Sequence, residues 1–445
     1  MALTPDERQF QKRIFQRLAD KPLEPGDKFY EPIYEHTASE DPVALMRVLI
    51  ELTATESIQM FSGFRGSGKT TELFRLKKDL EDQGYVVLYG DALEYLNPAQ
   101  EIDISNLLIV LAGTFSDALE AQGLGDIDKD AYWTRLTNYL TKTKVELDEV
   151  GLKAGADFKL KLKTAPTFRQ KLQERLANRI GELKRDVDRF FEDGVKAIQA
   201  KRGAKFPGVV FLFDQMEQIR GSLSNEGSVI HSVERLFSQH LKLMEIPYVH
   251  MVYTVPPWLK FVLPGLARIQ ILPSVRQWKN DPKRTEYPAG WNALRSLVHR
   301  RFGDADFQRF FGSPGPKHSL ADRLIAVCGG HFRDLLLLLR EAVLRVQTLP
   351  VTEEVIQSAI VAVRSNYLPI AIDDAKWLDH INRVREAALP STGQEHVNRL
   401  TRFLDTHFVL YFANGKEWHD IHPLIREEVA AIVKRETAKT LPAKA

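Results

Sequence analysis

Ten residues, Ser62 to Thr71 (Ser-Gly-Phe-Arg-Gly-Ser-Gly-Lys-Thr-Thr), constrain this chain more than any other stretch. Gly63, Gly68, Lys69 and Thr70 fit the spacing G-x-x-x-x-G-K-[ST]. An apolar run, Ile58 to Phe61, precedes it, and a helical pattern, Thr71 to Leu80, follows. Strand, tight loop and helix in that order let consecutive backbone N–H groups turn inward around phosphate oxygens. Residues without a Cβ at Gly63, Gly66 and Gly68 permit the turn. The N-terminus of the next helix adds its partial positive charge. The phosphate-lining run is then Gly63, Phe64, Arg65, Gly66, Ser67, Gly68, Lys69, Thr70 and Thr71. Lys69 is placed to reach the β- and γ-phosphates, and the Thr70 hydroxyl to hold Mg²⁺.

The rest of the first half has the rhythm of an α/β fold. Tyr85 to Gly90 is a continuous apolar run ending at Asp91, as expected of a parallel strand covered on both faces. Ile102 to Leu119 reads as an apolar helix. Gly208-Val-Val-Phe-Leu-Phe-Asp214-Gln-Met-Glu217 is a second buried strand ending in a carboxylate. Such a residue is placed to hold Mg²⁺ together with Thr70. Glu217 is either the base that polarises an attacking water or a surface carboxylate on the next turn. Tyr248 to Val255 is a further strand, with Thr254 at its carboxyl end as a polar sensor of phosphate or water. Arg268 opens a fifth strand and is the candidate arginine finger, with Arg300 and Arg301 as rivals. The fold class is α/β: a P-loop NTPase parallel sheet with helices on both faces, then a helical lid and a winged helix.

Composition removes several alternatives. Lys+Arg 61 against Asp+Glu 59 leaves no global basic field to attract nucleic acid. A single cysteine, Cys328, excludes an intrachain disulfide framework and fits a reducing compartment. Its apolar helical setting marks it as a packing residue. The longest apolar runs are too short to cross a bilayer, and the N-terminus has no signal-peptide core, so a cytoplasmic protein is expected.

Residues 123–205 interrupt the α/β rhythm. Alternation at Lys153 to Lys163 predicts a strand ended by Pro166, followed by one helix of about thirty residues. From Gly151 to Lys205 there are 15 Lys/Arg and 7 Asp/Glu, either a solvated helix face or a surface for DNA or an acidic partner. The predicted organisation is 1–45 helix and collar, 46–288 core, 289–365 helical lid, 366–435 winged helix and 436–445 frayed tail. In the collar, Tyr30 and Tyr34 either stack on a base or pack on the surface. In the lid, Gly329-Gly330-His331-Phe332-Arg333 opens a helix. A cation in a first helical turn opposes the dipole, so Arg333 needs an anion, and a nucleotide phosphate would serve. Near the end, Asn414-Gly415 between apolar alternations signals a hairpin. The preceding helix, Gln394 to Thr406, balances Arg399 and Arg402 with Glu395 and Asp405, which argues mildly against binding DNA phosphates.

The motifs Gly63–Thr71, Asp214-Gln-Met-Glu217 and Gly329-Gly-His-Phe-Arg333 together resemble the AAA+/STAND branch of P-loop ATPases. Their order, with a winged helix last, is similar to that family. Glu217 falls three residues after Asp214, the STAND spacing; most AAA+ enzymes place the second acid where this chain has Gln215. Ile421-His422-Pro423-Leu424 resembles the STAND motif whose histidine touches the ADP phosphate. The resemblance implies that Arg333 and His422 read the nucleotide state. It also implies a Mg²⁺-dependent ATPase switch that forms homo-oligomers, by analogy in bacterial anti-phage defence with a separate protein effector or sensor. Two departures stand out: no long repeat array follows the winged helix, and the basic insertion at 123–205 is added. Two other classes remain: a DNA-binding AAA+ ATPase of replication-initiator or transposition-accessory type, and a nucleotide-locked scaffold without turnover. No membrane partner is expected.

Overall fold

Apolar strand runs separated by helices build a five-stranded parallel sheet, in the order β2-β3-β4-β1-β5, in a computed structural model. The strands are β1 (Ser57–Gly63), β2 (Val86–Asp91), β3 (Val209–Asp214), β4 (Val249–Val255) and β5 (Ile269–Leu272). The structure describes residues 3–37, 41–124, 161, 164–176, 178–203, 206–222, 224–263, 269–312, 319–387, 389–390, 393–414 and 416–440. The chain divides into a sheet unit (43–62 and 75–271) and a helical unit (1–42, 63–74 and 272–445).

In the sheet unit, every residue of β3 and β4 is buried, which is why both read as unbroken apolar runs rather than alternations. The pairs β1–β4, β3–β4 and β2–β3 are parallel, with Phe61 opposite Thr254 and Asp91 opposite Asp214. The Ile104–Ala121 helix starts where the Asp103 carboxylate accepts the Ser105 N–H at 2.8 Å. It is the one helix among the described residues long and apolar enough to cross a membrane; 83% of it is buried, as in a core helix. Phe115 lies 4.1 Å from Phe191 between ring centroids, with Phe190 and Phe211 edge-on around it. Gly194 makes that approach possible, because a Cβ there would come within 2.7 Å of the Phe115 ring.

The basic insertion departs from expectation. Most of the strand read at 153–163 lies outside the described residues. Lys161, however, accepts the Ala165 N–H in a helical step (2.9 Å), and Pro166 opens a helix, Pro166–Leu176. The single long helix is two: a break precedes the Ile180–Arg202 helix. Arg179 donates to the Leu176 carbonyl at 2.8 Å in a three-residue closure. Asn178 and Gly181, both poor helix formers, flank it, so local backbone preference overrides a stripe that continues in the sequence. Leu172, Leu176, Leu183 and Val187 are buried on both sides of the break.

The helical unit contains the expected helices Pro288–Phe302, Leu320–Val327, Phe332–Arg345 and Glu353–Arg364. It adds one that the sequence reading lacked, Asp304–Phe311, bounded by Gly303 and Gly312. Two turns between glycines are too short to show a period, and three phenylalanines bury it. The helices Ile372–Val384 and Gln394–Asp405 precede the antiparallel hairpin β6 (Val409–Asn414) and β7 (Lys416–Ile421), the order a winged helix requires. Gly415 itself lies outside the described residues. The last helix, Arg426–Thr440, continues past the point where fraying was expected.

Phe115→Ala should lower the stability of this protein by ~3–5 kcal/mol, the usual cost of an aromatic cavity in a packed core. Urea unfolding followed by fluorescence measures it; a loss below ~1 kcal/mol would mean that the Phe115–Phe191 stack is not the centre of that packing.

Candidate functional site

The predicted residues fall in two places, one in each unit. In the helical unit the loop has the backbone its glycines allow: φ is +84° at Gly66 and +91° at Gly68, both left-handed. Gly63, at φ +158°, bends where a side chain would meet Ser67 and Leu272. Ser67 N–H closes the turn on the Phe64 carbonyl at 3.1 Å. Lys69 is buried, and its Nζ donates to the carbonyls of Gly63 (2.9 Å) and Phe64 (3.0 Å). An ammonium is thus held inside the loop, a position suited to a phosphate. Thr70 stands in the first helical turn. The Thr71 hydroxyl accepts the Leu23 N–H at 3.1 Å, which ties the collar to the loop.

The collar tyrosines pack rather than present a stacking face. Tyr34 is buried and donates its hydroxyl proton towards the carbonyls of Ser67 (3.1 Å) and Pro273 (3.2 Å). Tyr30 donates to Glu72 at 3.3 Å.

Arg333 lies against the loop. Its backbone N–H donates to the Gly66 carbonyl (3.3 Å), and a Cβ on Gly66 would sit 2.6 Å from that of Arg333. The anion that its position called for is Asp20, which accepts from Arg333 Nε at 2.5 Å. One residue earlier in the motif, His331 bonds the Arg65 carbonyl through Nε2 (2.9 Å) and meets Asp334 through Nδ1 (2.8 Å). Asp334 also accepts from Tyr367 (2.7 Å), and His422 Nε2 lies 3.2 Å away. His422 therefore reaches the loop through Asp334 and His331 rather than directly. Burial by itself would raise the Asp334 carboxyl, but His331 and His422 beside it hold it well below the usual carboxylate range. Burial pushes the His407 and His422 imidazoles down and the Tyr367 phenol up. Asp334, Tyr367, His407 and Asp20 were not singled out in the sequence. The only signal for Asp334 was its place one helical turn after His331.

The arginine-finger candidates divide. Arg268 lies outside the described residues. Arg301 is buried with Nη1 on the Arg17 carbonyl (2.8 Å), and Arg300 pairs with Glu31, so both are spent within the fold. Cys328 is fully buried, and that burial pushes its thiol up to about 12, as a packing residue requires. Arg399 and Arg402 both bond Asp374, at 2.8 and 2.7 Å.

In the sheet unit Asp214 ends β3, fully buried. One oxygen accepts the Tyr89 hydroxyl (2.9 Å) and the other the Gln215 N–H (2.7 Å). Burial first, and then the Asp214 charge, drive the Tyr89 phenol far up, so it remains a proton donor. Gln215 adopts φ +70° and donates its amide to Asp91 at 2.5 Å. That left-handed step turns the chain into the Met216–Gln218 turn, which carries Glu217. Thr254 is buried, and its hydroxyl accepts the Met216 N–H at 3.2 Å. Its shown role is therefore to fix the turn between the two acids. Tyr89 was missed because a tyrosine inside an apolar strand carries no mark of a polar partner.

No family model matches this chain, and no curated protein matches it. Among solved structures it is similar to the ORC2 protein of Aeropyrum pernix in its ADPNP–ADP complexes. That match is 12% identical with a TM-score of 0.37, and covers 96% of this chain and 98% of that one. It is also similar to CDC6P of Pyrobaculum aerophilum, 10% identical with a TM-score of 0.33, covering 98% and 100%. Likeness at that level carries no property across to this chain.

Thr254→Val keeps the shape of the side chain but leaves the buried Met216 N–H without its acceptor. It should cost ~1–3 kcal/mol in chemical denaturation. An unchanged midpoint would remove the hydroxyl from any role in holding the Asp214–Glu217 turn.

Proposed function

We propose that this chain is a Mg²⁺-dependent, ATP-binding and ATP-hydrolysing switch. The observation that carries the reading is the loop: left-handed backbone at Gly66 and Gly68 around a buried ammonium, leading into a helix. A lysine ammonium beside a left-handed glycine turn at a helix N-terminus suits polyphosphate oxygens. The donor set suits the metal as well, since Asp214 brings a carboxylate to the end of β3 and Thr70 brings a hydroxyl. Bound Mg²⁺ would neutralise charge that develops between the β- and γ-phosphates.

The remaining roles belong to side chains of this chain. Lys69 exchanges the Gly63 and Phe64 carbonyls for phosphate oxygens. Thr70 and Asp214 would each offer an oxygen to Mg²⁺, and Tyr89 orients the Asp214 carboxylate. Glu217 takes a proton from the attacking water, and Thr254 keeps it in place by fixing its turn. Arg333 and His422 couple nucleotide state to the lid and winged helix, through Gly66 and through Asp334–His331 respectively. Adenine is favoured because no guanine-reading Asn/Thr-Lys-x-Asp motif is apparent in the sequence. Homo-oligomerisation, an effector or sensor partner and a defence role follow from the AAA+/STAND resemblance alone. The alternative is a DNA-binding ATPase of initiator type; Arg399 and Arg402 share Asp374, which offsets one of their two charges.

Lys69→Ala should weaken ATP binding by at least ~10-fold, roughly 1.4 kcal/mol, in a fluorescent-nucleotide titration. Glu217→Gln should bind ATP as the parent does while phosphate release falls ~10²-fold or more. Equal and negligible release from parent and Glu217→Gln would leave a nucleotide-locked scaffold. Unchanged affinity in Lys69→Ala would end the phosphate-loop reading.

A further inference from the structure

The helical unit buries three imidazoles around one carboxylate. His331 Nδ1 lies 2.8 Å, His422 Nε2 3.2 Å and His407 Nδ1 3.9 Å from Asp334 Oδ2. The ligand atoms of His331, Asp334 and His407 all lie within 4.8 Å of one another. We propose that His331 Nδ1, His407 Nδ1 and Asp334 Oδ2 form a site for a transition-metal dication of the Zn²⁺ class, separate from the Mg²⁺ of the ATPase reading.

Proton bookkeeping is the first support. His331 Nε2 faces the Arg65 carbonyl, which only accepts, so this nitrogen carries the hydrogen. In a neutral ring Nδ1 is then a lone pair directed at a carboxylate oxygen 2.8 Å away. Without a metal, the contact needs a proton between Nδ1 and the carboxylate oxygen. A dication replaces that proton: the Nδ1–H bond breaks, the proton leaves to solvent, and the Nδ1 lone pair and the carboxylate both turn to the metal. Anchoring one ring nitrogen on a backbone carbonyl while the other binds metal is the usual way a ligating histidine is oriented.

His407 is the second, independent support. It is 8% exposed, its Nδ1 faces Asp334 Oδ2, and its ring centroid lies 4.0 Å from that of His331. A Nδ1–Oδ2 separation of 3.9 Å is too long for a hydrogen bond. It is close to the separation of about 3.4 Å between two ligands of a tetrahedral ion with bonds of ~2.0–2.1 Å. His422 is not a ligand. Its Nδ1 accepts the Leu424 N–H at 3.2 Å, so Nε2 holds the proton and faces Asp334 Oδ2 at 3.2 Å. With Tyr367 it orients the carboxylate from the outer shell. Two imidazoles and a carboxylate suit Zn²⁺ and its neighbours, whereas Mg²⁺ takes oxygen ligands.

The test uses the full chain, stripped with a chelator and free of nucleotide. Titration with Co²⁺ should give one ion per chain with the visible absorption of a tetrahedral site, displaced by Zn²⁺. About one proton should be released per ion bound. His407 has φ +61°, which asparagine tolerates, and its Nε2 bonds nothing, so His407→Asn removes a ligand with little risk to folding. That variant should lose Zn²⁺ affinity by more than ~100-fold, and Tyr367→Phe by only ~10–100-fold. Absence of stoichiometric metal in the parent, or parent-like affinity in a folded His407→Asn, would overturn the site. ATP binding is not a readout, so failure of the ATPase reading and failure of this one are told apart.

Discussion

A carboxylate removed from water must be met by donors, and two buried acids of this chain, Asp334 and Asp214, decide how their surroundings are arranged. In the helical unit Asp334 gathers His331, Tyr367 and His422 from three separate segments, and His331 extends the contact to the loop at Arg65. Any one donor lost would leave charge uncompensated in a place where that costs several times what it does at a surface. The order of the loop and of the segments after the lid is therefore a joint property. In the sheet unit Asp214 imposes the same requirement on a smaller scale, through Tyr89 and the chain's own next N–H.

These arrangements give the glycines their meaning. Gly66 is needed twice over, for its left-handed backbone and because Arg333 occupies the volume of the missing side chain. One side of the loop is thus shaped for its own lid helix. Gln215 bears the equivalent strain without being glycine, with its side chain bonded to Asp91. That left-handed step is thus held by a specific bond next to two acids.

Much of this was legible in the sequence, and the limits are physical. Strands that are buried on both faces announce themselves as apolar runs, so β2, β3 and β4 were placed correctly, with Asp91 and Asp214 at the ends of β2 and β3. The need for an anion at Arg333 followed from the helix dipole, but its identity did not. Asp20 is separated by over three hundred residues, and no local rule reaches so far. The thirty-residue helix failed because a hydrophobic stripe reports which face is buried, not whether the backbone is continuous. The buried Asp334 cluster escaped because its members are common residues whose significance lies only in convergence. His422 was singled out by resemblance, yet the partner it finds is a carboxylate.

The Tyr34 hydroxyl carries a single proton, yet it stands at similar distance from the carbonyls of Ser67 and Pro273. It can satisfy either one well or both partially. A small displacement of the loop therefore trades one acceptor for the other instead of breaking a bond, and the enthalpy along that path is nearly flat. The Thr71–Leu23 bond a few residues on has no such second acceptor and resists the same displacement. The collar is thus held to the loop through a shared hydrogen bond at Tyr34 and a separate one at Leu23.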